Sequence, residues 1–158
     1  MNLITFDYCD FENPVHLAAL ADLLNLYMAD PMGDAVPLNK LKQLRLVDGL
    51  ANHSSALVLF VLYDGDIAGM TTCFINFSTF SVKAYLNIHD IVVYDRFRSK
   101  GLGKALMEKL VEISIERDYC KITLEVRDDN IVAKSLYRSL GFEECKPNML
   151  FWTKKLNK

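Results

Sequence analysis

The 158 residues predict a mixed α+β domain, a central and mostly antiparallel sheet flanked by helices. Two observations carry this. A pair of apolar runs around "DGD" reads as a β-hairpin. Further on, a strand, an amphipathic helix and another strand follow in the order of a βαβ unit, which implies a parallel pair joined by a right-handed crossover. The length suits one domain spanning residues 1–158, and no repeat, low-complexity tract or Pro/Gly linker divides it.

Taken in order, "LITFDY" predicts a first strand. Pro14 then opens a helix with Val15, Leu17, Leu20, Leu24 and Tyr27 as its apolar positions, stopped at "ADP" because the residue before Pro31 disfavours helix. "PMGDAVP" is a loop, and a second amphipathic helix runs from about Leu38 to Ala51. "ALVLFVLY", "DGD" and "IAGMTTCFINF" form the hairpin, with a tight Asp-Gly turn. "KAYLNIHDIVVY" is the next strand. Residues 101–117 are a helix whose Leu102, Leu106, Leu110 and Ile113 share one face. "KITLEVR" alternates as a strand. A last helix follows, capped by Asn130, facing inward through Ala133, Leu136, Tyr137 and Leu140, and ended by Gly141. "MLFWTKKL" reads as a final strand.

Formal net charge is −2, which gives no general reason to bind nucleic acid or an anionic membrane. No apolar run is long enough to cross a bilayer, and "MNLITFDYCD" lacks the basic start and apolar centre of a signal peptide, so a cytoplasmic setting is expected. Cys9, Cys73, Cys120 and Cys145 form no C-x-x-C pair and read as reduced thiols. His16, His53 and His89 have no ligand spacing, so no metal is expected.

The stretch "RFRSKGLGK" departs from ordinary helix chemistry. A helix start carries partial positive charge and normally attracts Asp or Glu. Here it carries Arg96, Arg98, Lys100 and Lys104, with Gly101 and Gly103 between them. Free amides at a helix start hold phosphate oxygens, and glycines let an anion approach the backbone, so a polyanion would supply the missing charge. The phosphate-loop pattern G-x-x-x-x-G-K-[ST] fails at Arg98 and Ala105. The dinucleotide pattern G-x-G-x-x-G fails at Leu106.

The residues "RSKGLGK", the strand "IHDIVV" before them and "NIVAKSLYRSLGFEE" after them together resemble the signatures of the GNAT N-acetyltransferase superfamily. The matches cover Leu86 to Cys145, and the central strand and its flanks look similar to diamine and polyamine acetyltransferases. The resemblance implies a sheet splayed at a cofactor cleft and acetyl-CoA as cosubstrate. Backbone amides of Ser99, Lys100, Gly101, Leu102, Gly103 and Lys104, assisted by Arg98, would hold the pyrophosphate. The backbone of Ile91 and Val93 would pair with the pantetheine arm, and Asn130 would touch it. An amide near Ile91 or Val92 would receive the carbonyl oxygen.

The implied reaction is direct attack of a primary amine on the thioester. An alkylammonium must lose a proton first, because its pKa lies near ~10. His89 or Asp90 is the expected base; strand alternation puts them on opposite faces, so one of the two would face the cleft. Tyr137 matches the family tyrosine that protonates the departing thiolate. A cysteine route lacks an adjacent histidine. In the loop after the first helix, Asp30 and Asp34 would attract a small cationic amine and Met32 would line the wall. An acyl-CoA-binding sensor, or an enzyme acting on protein N-termini or lysines, remains an alternative. The apolar tail and open sheet edges admit a homodimer.

Overall fold

In a computed structural model of the chain, which describes residues 2–33 and 35–156, five strands form one sheet in the order β1-β2-β3-β4-β5. They are β1 (Ile4–Tyr8), β2 (Ala56–Tyr63), β3 (Asp66–Ser78), β4 (Lys83–Val93) and β5 (Ile122–Leu124). The first four pair antiparallel, and β4 and β5 run parallel. The hairpin expected at "DGD" is present: Asp64 and Gly65 both take positive φ, as a two-residue turn matched to strand twist requires.

Four helices flank the sheet: α1 (Pro14–Ala29), α2 (Lys40–Ala51), α3 (Leu102–Glu116) and α4 (Ile131–Ser139). Side chains place each start. Asn13 accepts the Val15 N–H with Pro14 at the first helical position, Asn39 accepts the Lys42 N–H, and Asn130 accepts the Ala133 N–H. At the end of α4 the Phe142 and Gly141 amides reach back to the Tyr137 and Arg138 carbonyls, with Gly141 at φ 84°. That is a Schellman closure, and the Tyr137 and Phe142 rings pack 6.0 Å apart across it.

The sheet separates two cores. On one face α1 and α2 bury Leu20, Leu23, Leu24 and Leu50 against Val58, Phe60, Met70 and Val92. On the other, Leu102, Leu106, Met107, Leu110 and Ile113 of α3 cover Leu57, Leu59, Val61, Leu86 and Ile88, with Tyr137 of α4 at the margin. Each fully buried leucine contributes about 1.5–3 kcal/mol relative to exposure. These two layers make the sheet a rigid frame for whatever lies in its gap.

Two expectations are corrected. Residues 149–156 form no strand: they run extended beside nothing, with Met149, Leu150, Phe151, Trp152 and Leu156 exposed. Alternation alone does not make a strand without a neighbour to take its hydrogen bonds. The strand expected over "KITLEVR" is also short, Ile122–Leu124, because only Leu86–Ile88 of β4 pairs with it.

That short pairing opens the sheet. β4 continues five residues past Ile88, to Val93, with no partner on its β5 side. The other edge of this stretch is fully paired, since Gly69, Met70, Thr71 and Thr72 of β3 register with Val93, Val92, Ile91 and Asp90.

Candidate active site

The cleft has three walls. Its back is residues 89–93 of β4. Tyr94 N–H bonds to the Ala68 carbonyl, Thr71 Oγ1 donates to the Asp90 carbonyl at 2.9 Å, and the Val92 carbonyl lies against Gly69. Residues 90, 92 and 94 therefore turn their main-chain groups towards β3. By alternation, Ile91 and Val93 turn theirs to the open side, as expected for an added strand-like ligand. Their side chains pack towards α3, whereas Val92 packs towards α1.

His89 is the extra residue of a β-bulge: Thr72 pairs with Asp90 and Cys73 with Ile88. The bulge resets the alternation, so the expectation that His89 and Asp90 face opposite ways fails. The exposed His89 ring meets Phe74 edge-on at 5.5 Å, and Phe74 belongs to the α1 side of the sheet. Asp90 lies on that side too. It is largely enclosed, accepts a hydrogen bond from the Thr72 side chain, and sits in the field of Tyr27 on α1. Burial raises the Asp90 carboxyl above its ordinary range, opposed by His89 and the Thr72 bond. A carboxylate with raised affinity for protons is what a general base for an ammonium needs.

Tyr137 enters from the opposite face, on the inner side of α4. Burial pushes its phenol pKa up, and Tyr27 adds to the effect. Tyr27 is raised in turn by burial, Asp90 and Asp30, with Arg127 opposing. Tyr27 belongs to the α1 side of the sheet and Tyr137 to the α3 side. They feel each other across the frame beside the gap, and Asp90 shares the cluster. In the sequence Tyr27 reads as one more apolar position of α1. A phenol in the last turn, directly before the "ADP" loop, is the signal that marks it out.

The lower end of the cleft is the start of α3. Gly101 caps it at φ 77°, and Ser99 is also left-handed at φ 60°. Such alternation of hand aims successive amides into one concavity. The helical ladder begins with Ala105 N–H on the Gly101 carbonyl, so the amides of Leu102, Gly103 and Lys104 precede it. A Cβ on Gly101 would meet nothing within 4 Å, and on Gly103 only Leu136 at 3.9 Å, so the approach to these amides is open. The basic residues are held in place. Arg96 lies over Tyr94 and Phe97, Lys100 over Tyr63, Lys104 near Glu108 at 3.6 Å, and Arg98 between Asp30 and Asp95.

The upper wall is the loop after α1. Asp30 is the C-cap of α1; its Oδ1 accepts the Met32 N–H and its Oδ2 faces Arg98. A Cβ on Gly33 would fall 2.0 Å from the Tyr27 carbonyl, so glycine lets the loop fold tightly onto the last turn of α1. Met32 is half-buried there. Asp34 lies outside the described residues. Asn130 caps α4 with its side chain.

Cys73 is buried and its thiol is pushed up to about 12 by burial and Asp90; Cys9 is raised to about 11. Neither is a ready thiolate at neutral pH. Among the described residues no cluster of His, Cys, Asp or Glu has the makings of a metal site, and no helix is long and apolar enough to cross a membrane.

Residues 20–142 match the acetyltransferase (GNAT) family. An uncharacterized N-acetyltransferase from Archaeoglobus fulgidus is 36% identical over 83 residues, covering 52% of this chain and 56% of that one. A streptothricin acetyltransferase from Streptomyces lavendulae is 35% identical over 82 residues, 52% of this chain and 41% of that one. The matched stretch thus spans about half the length of these curated relatives. A possible acetyltransferase from Clostridium difficile 630 superposes with a TM-score of 0.82 at 19% identity, covering 98% of this chain and 99% of the other. At that identity the likeness concerns the fold: a five-stranded open sheet flanked by helices.

Proposed function

Since the chain belongs to the GNAT acetyltransferase family, we propose that it is an acyl-CoA-dependent N-acetyltransferase, moving an acetyl group from acetyl-CoA to a primary amine by direct attack in a ternary complex. One observation carries this reading. The gap beyond the Ile88–Leu124 pair has an anion-ready helix start at one end and an enclosed carboxylate and phenol in its middle.

The pyrophosphate of acetyl-CoA fits the α3 start, where open amides and Arg98 offer donors and charge. Lys100 and Lys104 add to the field. The pantetheine arm runs along Ile91 and Val93 as a strand would, with Asn130 beside it. The acetyl carbonyl then lies in the gap, and an amide at Ile91 or Val92 receives the charge that builds on its oxygen. Asp90 takes the proton of the incoming ammonium, directly or through a water. The amine nitrogen bonds to the carbonyl carbon, the carbon–sulfur bond breaks, and the Tyr137 hydroxyl protonates the leaving thiolate. Products are an amide and free CoA. His89, exposed at the bulge, is the second candidate for the base.

The acceptor is a small cationic amine of the diamine or polyamine kind. Asp30 and Asp90, with the Tyr27 phenol between them in the field, favour a cation at this wall, and Met32 supplies apolar contact; Asp34 belongs to the same loop. The setting is cytoplasmic. The test is release of CoA thiol from acetyl-CoA against a panel of diamines, polyamines, aminoglycosides and peptides, beside calorimetry with CoA. Turnover led by a small polycation is expected. CoA binding without turnover on any amine would replace the enzyme by an acyl-CoA sensor, and no CoA binding would remove the reading altogether.

A further inference from the structure

The segment 149–156 and the free side of β5 are complementary. Met149, Leu150, Phe151 and Trp152 are 77–86% exposed, and Leu156 is 84% exposed. A run of this kind is unusual on a protein that stays alone in water. β5 has β4 on one side only, so its other side presents unpaired main-chain groups. Beside β5 lies a cavity of about 280 Å³, lined by Val111, Ile122, Leu140, Gly141, Phe142 and Glu143. Its walls are apolar, and Glu143 stands at its rim.

The geometry points to strand exchange between two copies of this chain. Residues 149–156 of one copy add to the free side of β5 in the other, and an aromatic side chain enters the cavity. Several features converge on a second copy. The segment is extended already and stands off its own body. Its apolar residues match the apolar lining, and Lys154 and Lys155 match the charge of Glu143. The area is sufficient. Phe151 and Trp152 alone offer roughly 300–400 Å². A symmetric exchange uses two such segments and covers two β5 sides, approaching the roughly 1,600 Å² of a standard interface. The exchange closes on itself as a two-fold dimer and leaves no open edge for further growth. This inference does not depend on the acetyl-transfer reading, because its residues lie outside the cleft.

Trp152 is the sole tryptophan, so its emission reports the segment directly. Sedimentation velocity and Trp152 emission are followed together through a dilution series of the full chain. Dimers at high concentration, with blue-shifted and quencher-protected Trp152 that becomes exposed as the dimers dissociate, are expected. The Phe151→Ser/Trp152→Ser variant should be monomeric with an unchanged helix and strand signal, because both side chains are exposed within one copy. A monomer at all concentrations overturns the inference, whether Trp152 is exposed or is buried by folding back on its own chain. So does a dimer whose Trp152 stays open to quencher, or one that persists in the double variant.

Discussion

Arg98 Nη2 stands 3.3 Å from Asp30 Oδ2, which ties the start of α3 to the end of α1 across the cleft. Arg98 also lies 3.0 Å from Asp95. The residue expected to assist a pyrophosphate and the residue expected to attract an amine are thus partners. Arg98 is about half exposed, so the pair is worth only about 0.2–1 kcal/mol. A phosphate must compete with Asp30 for the guanidinium. Asp30→Asn should therefore tighten CoA binding, by up to about five-fold at low salt. Arg98→Ala should weaken it by a similar factor. Calorimetry at two salt concentrations checks both; a tighter complex from Arg98→Ala would remove Arg98 from the anion site.

The Asp90 carboxyl makes opposite demands on stability and activity. Its pKa is raised by burial, so the native state prefers it protonated. The stability it contributes is complete below the unfolded carboxyl pKa, about 4, and is lost as pH rises through the higher native value. Asp90→Asn should match the parent near pH 3 and exceed it in stability at pH 8, by about 1.4 kcal/mol for each ten-fold rise in proton affinity that folding imposes on the carboxyl. Turnover should move the other way. The acid limb of the parent's pH–rate profile should lie above the usual carboxylate range, and the variant should lose about 10²-fold or more in kcat. If that limb survives in Asp90→Asn and vanishes in His89→Ala, the base is His89.

Tyr137 serves the fold through its backbone and the reaction through its hydroxyl. Its carbonyl closes α4 on the Leu140 and Phe142 amides, and its ring packs on Phe142. Neither role uses the hydroxyl. Tyr137→Phe should keep the thermal midpoint within a few degrees and leave CoA affinity unchanged, with kcat down about 10²–10⁴-fold. Burial and Tyr27 raise the phenol pKa, so the acid form persists well above neutral pH. Unchanged turnover would release Tyr137 from the acid role.

Much of this is legible in sequence. The hairpin turn at Asp64–Gly65, the caps at Pro14 and Asn130 and the stop at Gly141 are local chemistry, and local chemistry can be read residue by residue. What stays hidden depends on neighbours. The bulge at His89 arises from how β3 pairs with β4, so alternation along β4 alone misassigns the relation of His89 to Asp90. The end of β5 at Leu124 reflects loss of its partner, not a change in its own pattern. Tyr27 looks apolar because only the fold brings it into the field of Asp90 and Tyr137.

Gly69 joins β3 to the cleft wall. A Cβ there would fall 2.6 Å from the Val92 carbonyl and 3.1 Å from the Val93 Cα, both backbone atoms with little freedom. Gly69→Ala should push β4 outward at the stretch that backs the cleft, at a cost of about 1–3 kcal/mol, as overpacking does. Thermal denaturation should show the loss, and KM for acetyl-CoA should rise with it. A variant as stable as the parent would mean that β4 yields freely.

Gly101 separates backbone strain from charge. Its φ of 77° suits glycine, and any side chain there bears about 1–2 kcal/mol of left-handed strain. The space around a Cβ is empty, so Ala and Glu meet the same backbone cost and no clash. Gly101→Ala should lower thermal stability and weaken CoA binding modestly. Gly101→Glu should lower stability about equally, yet lose CoA binding by at least about ten-fold more, because it sets a carboxylate beside the amides meant for phosphate. The gap between the two variants should narrow as salt screens the repulsion. Equal CoA affinity in Ala and Glu variants would show that the anion does not rest at this helix start.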